Sequence, residues 1–212
     1  MVEIMKAFIK CGAGKAISVF LVLIMGVSLV NTIGAKVQAK QNNKIVILYF
    51  SGTGTTEGAA KRIKNKTKGK LMAIEATEPY TEEDLDYSND ESRVTKEHES
   101  ADSPAESTIR PEIDNLSQIK KAVKKADVVY IGYPIWWGEA PHIVYNLVEN
   151  ISLKGKTVVL FCTSISSGLG DSSENLKENA NISSKTNWLE GCNFYDIPSQ
   201  KTVNKWINGL EY

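Results

Sequence analysis

The sequence predicts an α/β domain built on a doubly wound, five-stranded parallel sheet of order 2-1-3-4-5, with helices on both faces. Three observations carry that reading. Asn43 to Phe50 (NKIVILYF) is an almost unbroken apolar, β-branched run, of the kind that forms a strand buried on both faces. Similar runs then alternate with segments of helical period, which argues for parallel strands joined by crossover helices. Right-handed crossovers restrict the topology to doubly wound forms, whose ligand crevice lies at the carboxyl ends of strands one and three.

The elements follow in order. Ser51 to Thr56 (SGTGTT) is turn chemistry, and Thr56 with Glu57 starts a helix that carries Ala59, Ala60 and Ile63 inward to about Lys66. Lys70 to Ala76 reads as strand two. Asn115 to Ala126 sets Leu116, Ile119, Val123 and Ala126 on one helical face, with Lys120, Lys121, Lys124 and Lys125 opposite. Val128 to Tyr133 is strand three, ended by Pro134. Pro141 suits the first residue of a helix with Ile143, Val144, Leu147 and Val148 inward. Lys156 to Thr163 is strand four, and Asp171 to Glu174 (DSSE) has capping spacing before a helix to about Asn179. Cys192 to Ile197 is a weaker strand five. Val203, Trp206, Ile207 and Leu210 form the inner face of a last helix. Export permits a disulfide, but Cys162 and Cys192 fall in or beside strand runs and read as buried free thiols.

Composition narrows the function classes. The 212 residues are 42% hydrophobic and 24% charged, and 25 basic residues balance 25 acidic ones. That excludes a uniformly basic nucleic-acid binder. Three Cys and two His are too few for a disulfide framework or a zinc module. Residues 16–30 carry no charge, follow Lys6, Lys10 and Lys15, and precede a Val37-Gln38-Ala39 tripeptide. This is the pattern of a secretory signal over residues 1–39, and export is the expected localisation. The run is short of the roughly 20 residues that span a bilayer; counted on to Ala35 it just reaches that length, so an uncleaved membrane anchor is the other reading. Residues 40–212 form the domain. Within it, residues 77–113 hold twelve acidic residues against Arg93, Lys96 and Arg110, a balance of −9, and read as an acidic insertion.

Two loops carry the chemistry. SGTGTT, between a buried strand and a helix, aims backbone N–H groups and a positive helix end at one spot, which suits an anion. Ser51, Thr53, Thr55 and Thr56 add hydroxyls, and no Lys or Arg lies within the loop. A nucleoside triphosphate loop would need Lys after the last Gly; a dinucleotide fingerprint would need Gly where Glu57 stands. Glu75 sits about where a ribose-binding acid belongs. The second loop, Tyr133 to Pro141 (YPIWWGEAP), sets two adjacent Trp at the expected crevice, where at least one indole is free to cover a flat ring. A third loop, Thr163 to Asp171 (TSISSGLGD), is small, polar and flexible.

On SGTGTT and PIWWGEAP together, the chain from about Lys44 to its C-terminus resembles the flavodoxins. The resemblance implies a flavodoxin-like fold and bound FMN. Its phosphate would rest on Ser51, Thr53, Gly54, Thr55 and Thr56, and its isoalloxazine ring beside Pro134, Ile135, Trp136, Trp137 and Gly138. A third contact would come from Ser164 to Gly168. Many flavodoxins place an aromatic residue in that last loop; this sequence offers Ile165 and Leu169, which leaves one ring face open. No catalytic dyad is visible: His98 lies in the insertion, and His142 reads as a surface or capping residue.

Three functions are compatible with these residues. One is an exported electron carrier, docking a redox partner protein on the acidic segment. The second is an FMN-dependent NAD(P)H:quinone-type reductase, and the third a flavin-less anion-binding module. Membrane contact would come only through the N-terminal segment.

Overall fold

Five parallel strands form one sheet in the order β2-β1-β3-β4-β5 in the computed structural model, which describes residues 43–180 and 185–212. They are β1 (Ile45–Tyr49), β2 (Lys70–Ala73), β3 (Val128–Pro134), β4 (Thr157–Thr163) and β5 (Asn187–Phe194). Between and after them come α1 (Thr55–Thr67), α2 (Arg93–Glu99), α3 (Leu116–Lys125), α4 (His142–Asn150), α5 (Ser172–Asn179) and α6 (Gln200–Asn208). The fold class and strand order are those the sequence predicts. The signal or anchor assigned to residues 1–39 lies outside the described residues, among which no helix is long and apolar enough to cross a membrane.

Alternation along each strand divides the core in two. Val46, Leu48, Val129, Ile131, Tyr133, Val158, Leu160 and Cys162 point to one face, against Ile119 and Val123 of α3, Val144 and Leu147 of α4, and Leu176 of α5. Ile47, Tyr130, Val159 and Phe161 point to the other, against Ala59 and Ile63 of α1 and Val203 and Trp206 of α6. At the centre, Gly132 of β3 pairs with Phe161 of β4. Any Cβ on Gly132 would overlap the Phe161 ring, so only glycine admits that ring across β3 on this face. Cys162 is a buried free thiol, as expected; Cys192 is buried on β5 but, against expectation, is not a free thiol.

Element limits differ from expectation where tertiary pairing intervenes. β2 stops at Ala73, not Ala76, because Ala76 pairs antiparallel with Ile113 instead. Strand five starts at Asn187 and ends at Phe194. In its register with β4, Leu189 faces Val159 but Cys192 faces Phe161, so β5 carries an extra residue, a bulge that breaks the apolar alternation. Pro141 is the residue before α4, one position earlier than expected. Asp171 holds the N-cap position of α5, but its side chain makes no cap bond.

The acidic segment closes at its neck. Besides the Ala76–Ile113 bridge, Thr77 N–H donates to the Glu112 carbonyl at 2.9 Å and Asp114 N–H to that of Glu75 at 2.9 Å. Inside are a single 3-10 turn at Glu83–Leu85 and α2, whose Ser92 side chain caps Thr95 N–H. Arg110 ties the segment to α4 through both carboxylate oxygens of Glu149, at 2.9 and 3.0 Å. Thirty-seven residues thus hold together by polar bonds and a few buried side chains such as Val94 and Ile113.

Candidate functional site

The loop after β1 delivers the chain into α1 through Gly54, whose φ of +90° turns successive amides the same way. Unlike α2 and α6, whose Ser92 and Ser199 accept from the first turn, α1 has no side-chain cap. Among the described residues, the amides of Thr53, Thr55, Thr56 and Glu57 have no acceptor. Gly54 N–H is satisfied by Ser51 Oγ at 3.1 Å, which leaves the Ser51 hydroxyl proton free to point elsewhere. The Thr53 and Thr55 hydroxyls likewise have no partner among the described residues. Free amides, free hydroxyls and the positive end of a 13-residue helix therefore converge.

Thr56 differs from this pattern. It is buried, and its Oγ1 lies 2.7 Å from Thr163 Oγ1 at the end of β4. One of the two hydroxyl protons is used between them, so the pair together has one left to donate outward.

This loop borders a cleft of about 440 Å³. Its lining includes Ser51, Thr53, Thr55 and Thr56, then Pro134, Ile135 and Trp136 after β3, and Thr163, Ser164 and Ile165 at the end of β4. The structure thus brings the first, second and third predicted loops to one crevice, at the carboxyl ends of β1, β3 and β4. Four further side chains line it that the sequence did not assign to the site: Leu85 and Tyr87 from the acidic segment, and Tyr195 and Asp196 after β5. The sequence pattern places Tyr195 and Asp196 inside a strand; with β5 ending at Phe194, topology alone puts them at this pole. Tyr87 and Leu85 carry no such local signal.

Other predicted residues stand elsewhere. Trp136 and Glu139 exchange N–H···O bonds of 2.9 and 3.0 Å, closing a two-residue turn with φ of +48° at Trp137 and +85° at Gly138. That is a type I′ geometry. It sends the adjacent indoles apart. Trp136 is 9% exposed, lines the cleft, and meets Phe50 and Tyr80 edge-on at 5.6 and 5.7 Å. Trp137 stacks on His98 at 4.4 Å, nearly parallel, with Tyr87 4.8 Å away. Neither Trp137 nor Gly138 lines the cleft. Gly168 does not either: its φ of +63° turns the chain back, and its carbonyl accepts from the Cys162 thiol. Gly54 borders instead a second opening of about 470 Å³ beyond the loop, with Tyr49, Glu57, Glu75 and Tyr80.

Electrostatics follow from these contacts. Glu57 is held below the usual carboxylate range by its hydrogen bond to Lys61, 2.8 Å away. Burial pushes the Tyr87 phenol up to about 12, so it stays neutral. His142 is not a surface residue. It is 4% exposed, and its Nδ1 lies 3.2 Å from the Ile109 carbonyl, so Nδ1 carries the proton and donates. Burial pulls its pKa down to about 4.

Behind the Trp136 wall, the Tyr80 hydroxyl donates to both Glu97 oxygens at 2.8 and 3.1 Å, and Arg93 Nε donates at 3.0 Å. The Arg93 guanidinium also lies over the Tyr80 ring. Burial nevertheless holds the Glu97 carboxyl above its ordinary range. A raised acid keeps its proton more firmly in the folded chain, so its contribution is full at low pH and lost as pH rises through the folded value. Glu97→Gln is expected to remove that decline, and thermal melts from about pH 4 to 7 should fall less steeply for the variant.

The flavodoxin family model matches residues 44–210. A crystal structure of a protein described as a flavoprotein from Bacteroides eggerthii DSM 20697 is 38% identical, with a TM-score of 0.66 over 78% of this chain and 96% of that one. Another, from Bacteroides uniformis ATCC 8492, is 32% identical, with a TM-score of 0.64 over 78% and 98%. A flavoprotein from Lactobacillus acidophilus NCFM, crystallised with FMN, is 20% identical and shares the fold at a TM-score of 0.51 over 78% and 99%. No curated protein matches the chain.

Proposed function

The chain belongs to the flavodoxin family, and we propose that it is an exported redox protein that carries electrons on bound FMN. The observation that carries this reading is the uncapped start of α1, where unpartnered amides and hydroxyls meet at one end of an aromatic-walled cleft. A flavin mononucleotide ends in a phosphate monoester, and a cradle of neutral donors beside the cleft suits one terminal phosphate. FMN would supply the redox chemistry, which the protein only positions and tunes.

The roles of the chain's own residues follow. The amides of Thr53, Thr55 and Thr56, with the hydroxyls of Ser51, Thr53 and Thr55, hold the phosphate. Ile135 and Trp136 form the fixed wall, which Phe50, Tyr80 and Glu97 brace from behind. Tyr87 and Tyr195, 52% and 55% exposed, stand at the mouth, where the sequence offers no aromatic after β4. They supply the flat surfaces that the Ile165 loop lacks. Carboxylates of the acidic segment around this mouth disfavour added negative charge on a bound ring and so lower its potential.

Exposed Glu82, Glu83, Asp86, Asp90 and Glu91 flank Leu85 and Tyr87. They support a basic redox protein as partner, with association that weakens as salt rises. A quinone-type acceptor would use the same mouth; the exposed Ile165, at 76%, is the feature that leaves room for one. Titrating the purified protein with FMN tests the cofactor: saturable quenching of flavin fluorescence at one equivalent is expected, and a protein that takes up no FMN leaves only an anion-binding module. Steady-state oxidation of NAD(P)H with a quinone would replace the carrier reading by the reductase.

A further inference from the structure

The two poles of the sheet carry opposite charge. The carboxyl ends of the strands hold the redox cleft and the neck of the acidic segment. The amino ends open a different cleft of about 430 Å³, lined by Lys44, Lys70, Lys121 and Lys125 over a floor that includes Ile45 and Ala122. All four lysines are exposed, and among the described residues none of them forms an ion pair. The nearby carboxylate of Asp127 accepts the Lys44 backbone amide at 2.8 Å. Cations in the last turn of α3 complement its dipole, which accounts for Lys124 and Lys125. It does not account for Lys44 and Lys70, which stand at the starts of two adjacent strands.

The chain also joins the fold at this pole. Lys44 immediately precedes β1, and thirteen residues separate it from the uncharged run of residues 16–30. A linker of that length reaches at most about 45 Å when fully extended.

We propose that the lysine pole docks on an anionic lipid surface, with the redox cleft directed away from the bilayer. The seven residues of β3 separate the two poles by about 20 Å. That distance exceeds the roughly 8 Å over which charge acts in physiological salt, so the acidic rim does not cancel the attraction. Each lysine near an anionic surface strengthens binding about fivefold. The inference goes beyond the redox reading and depends on the lysines, not on FMN.

The match covers 96% and 98% of the two Bacteroides relatives, which supports testing residues 40–212 by themselves. Their binding is measured by co-sedimentation with vesicles of phosphatidylcholine alone or with about 30% phosphatidylglycerol. At least about tenfold stronger binding to the anionic vesicles is expected at about 0.05 M salt, lost at about 0.5 M. The triple variant Lys70→Glu, Lys121→Glu, Lys125→Glu should lose it while FMN uptake stays unchanged. The milder Lys-to-Gln triple at the same positions checks that lost binding is not lost folding. A control triple of the same charge, Lys61→Glu, Lys96→Glu, Lys201→Glu, should keep most of it. Equal binding to both vesicle types, or undiminished binding by the first triple variant, overturns the proposal. Displacement from vesicles by millimolar inorganic phosphate overturns it too, by marking a small-anion site.

Discussion

Replacing Thr53 and Thr55 together by alanine is expected to weaken FMN binding by at least about 100-fold, with the melting temperature of the apoprotein nearly unchanged. Both hydroxyls border the cleft at the uncapped start of α1, and neither has a partner among the described residues. They contribute little to folding and are free for a ligand. A hydrogen bond to a charged group contributes about 1.5–3 kcal/mol. Losing two outweighs what water returns to the phosphate, while the amides of the same loop keep binding from vanishing. Thr56→Ala should behave differently. It leaves Thr163 Oγ1 buried without its 2.7 Å partner, so stability falls by about 1–3 kcal/mol alongside any loss of FMN. Fluorescence titration with FMN and thermal melts separate the two patterns. If the double variant binds FMN as tightly as the parent, the phosphate does not sit at this loop.

What the sequence made legible here was what local chemistry determines. A parallel strand covered on both faces must be apolar throughout, so Ile45 to Tyr49 announced β1. A Gly–hydroxyl turn between that strand and a helix has few conformations open to it, so Ser51 to Thr56 announced the turn into α1. The five-strand order followed from alternation and handedness. The adjacent tryptophans were legible as a pair but not individually. Which indole lines the cleft depends on a turn that holds Trp137 at positive φ, against its intrinsic preference, and only the Trp136–Glu139 pairing enforces it. β5 was misplaced because its bulge adds a residue mid-strand and shifts the apolar period. Tyr87 and Leu85 reach the cleft from a mostly polar segment of 37 residues with no apolar stripe, and such packing leaves no periodic trace. His142 was read as exposed because a helix start usually is; the segment that covers it lies some 30 residues earlier in the chain.

That covering predicts how the fold responds to acid. His142 is buried and donates through Nδ1 to Ile109 of the acidic segment, with Arg110 adding positive charge nearby. Burial is the main cause of its low pKa of about 4, and the charge of Arg110 lowers it further. A histidine depressed in this way favours folding while neutral. Its contribution is full above the unfolded value of 6.5 and is lost as pH falls toward 4. The shift corresponds to up to about 3 kcal/mol across that window. Glu97 acts in the opposite direction over overlapping pH, losing its contribution as pH rises, so the two partly mask each other in the parent protein. His142→Asn keeps an N–H donor for the Ile109 carbonyl but cannot take up a proton. Urea unfolding of this variant should therefore show much less loss of stability between about pH 6.5 and 4, leaving the Glu97 slope exposed. In the double variant with Glu97→Gln both slopes should be flattened. A His142→Asn protein that loses stability in acid as steeply as its parent would mean that His142 is hydrated in solution. The acidic segment would then not be docked on α4 as the Ile109 contact requires.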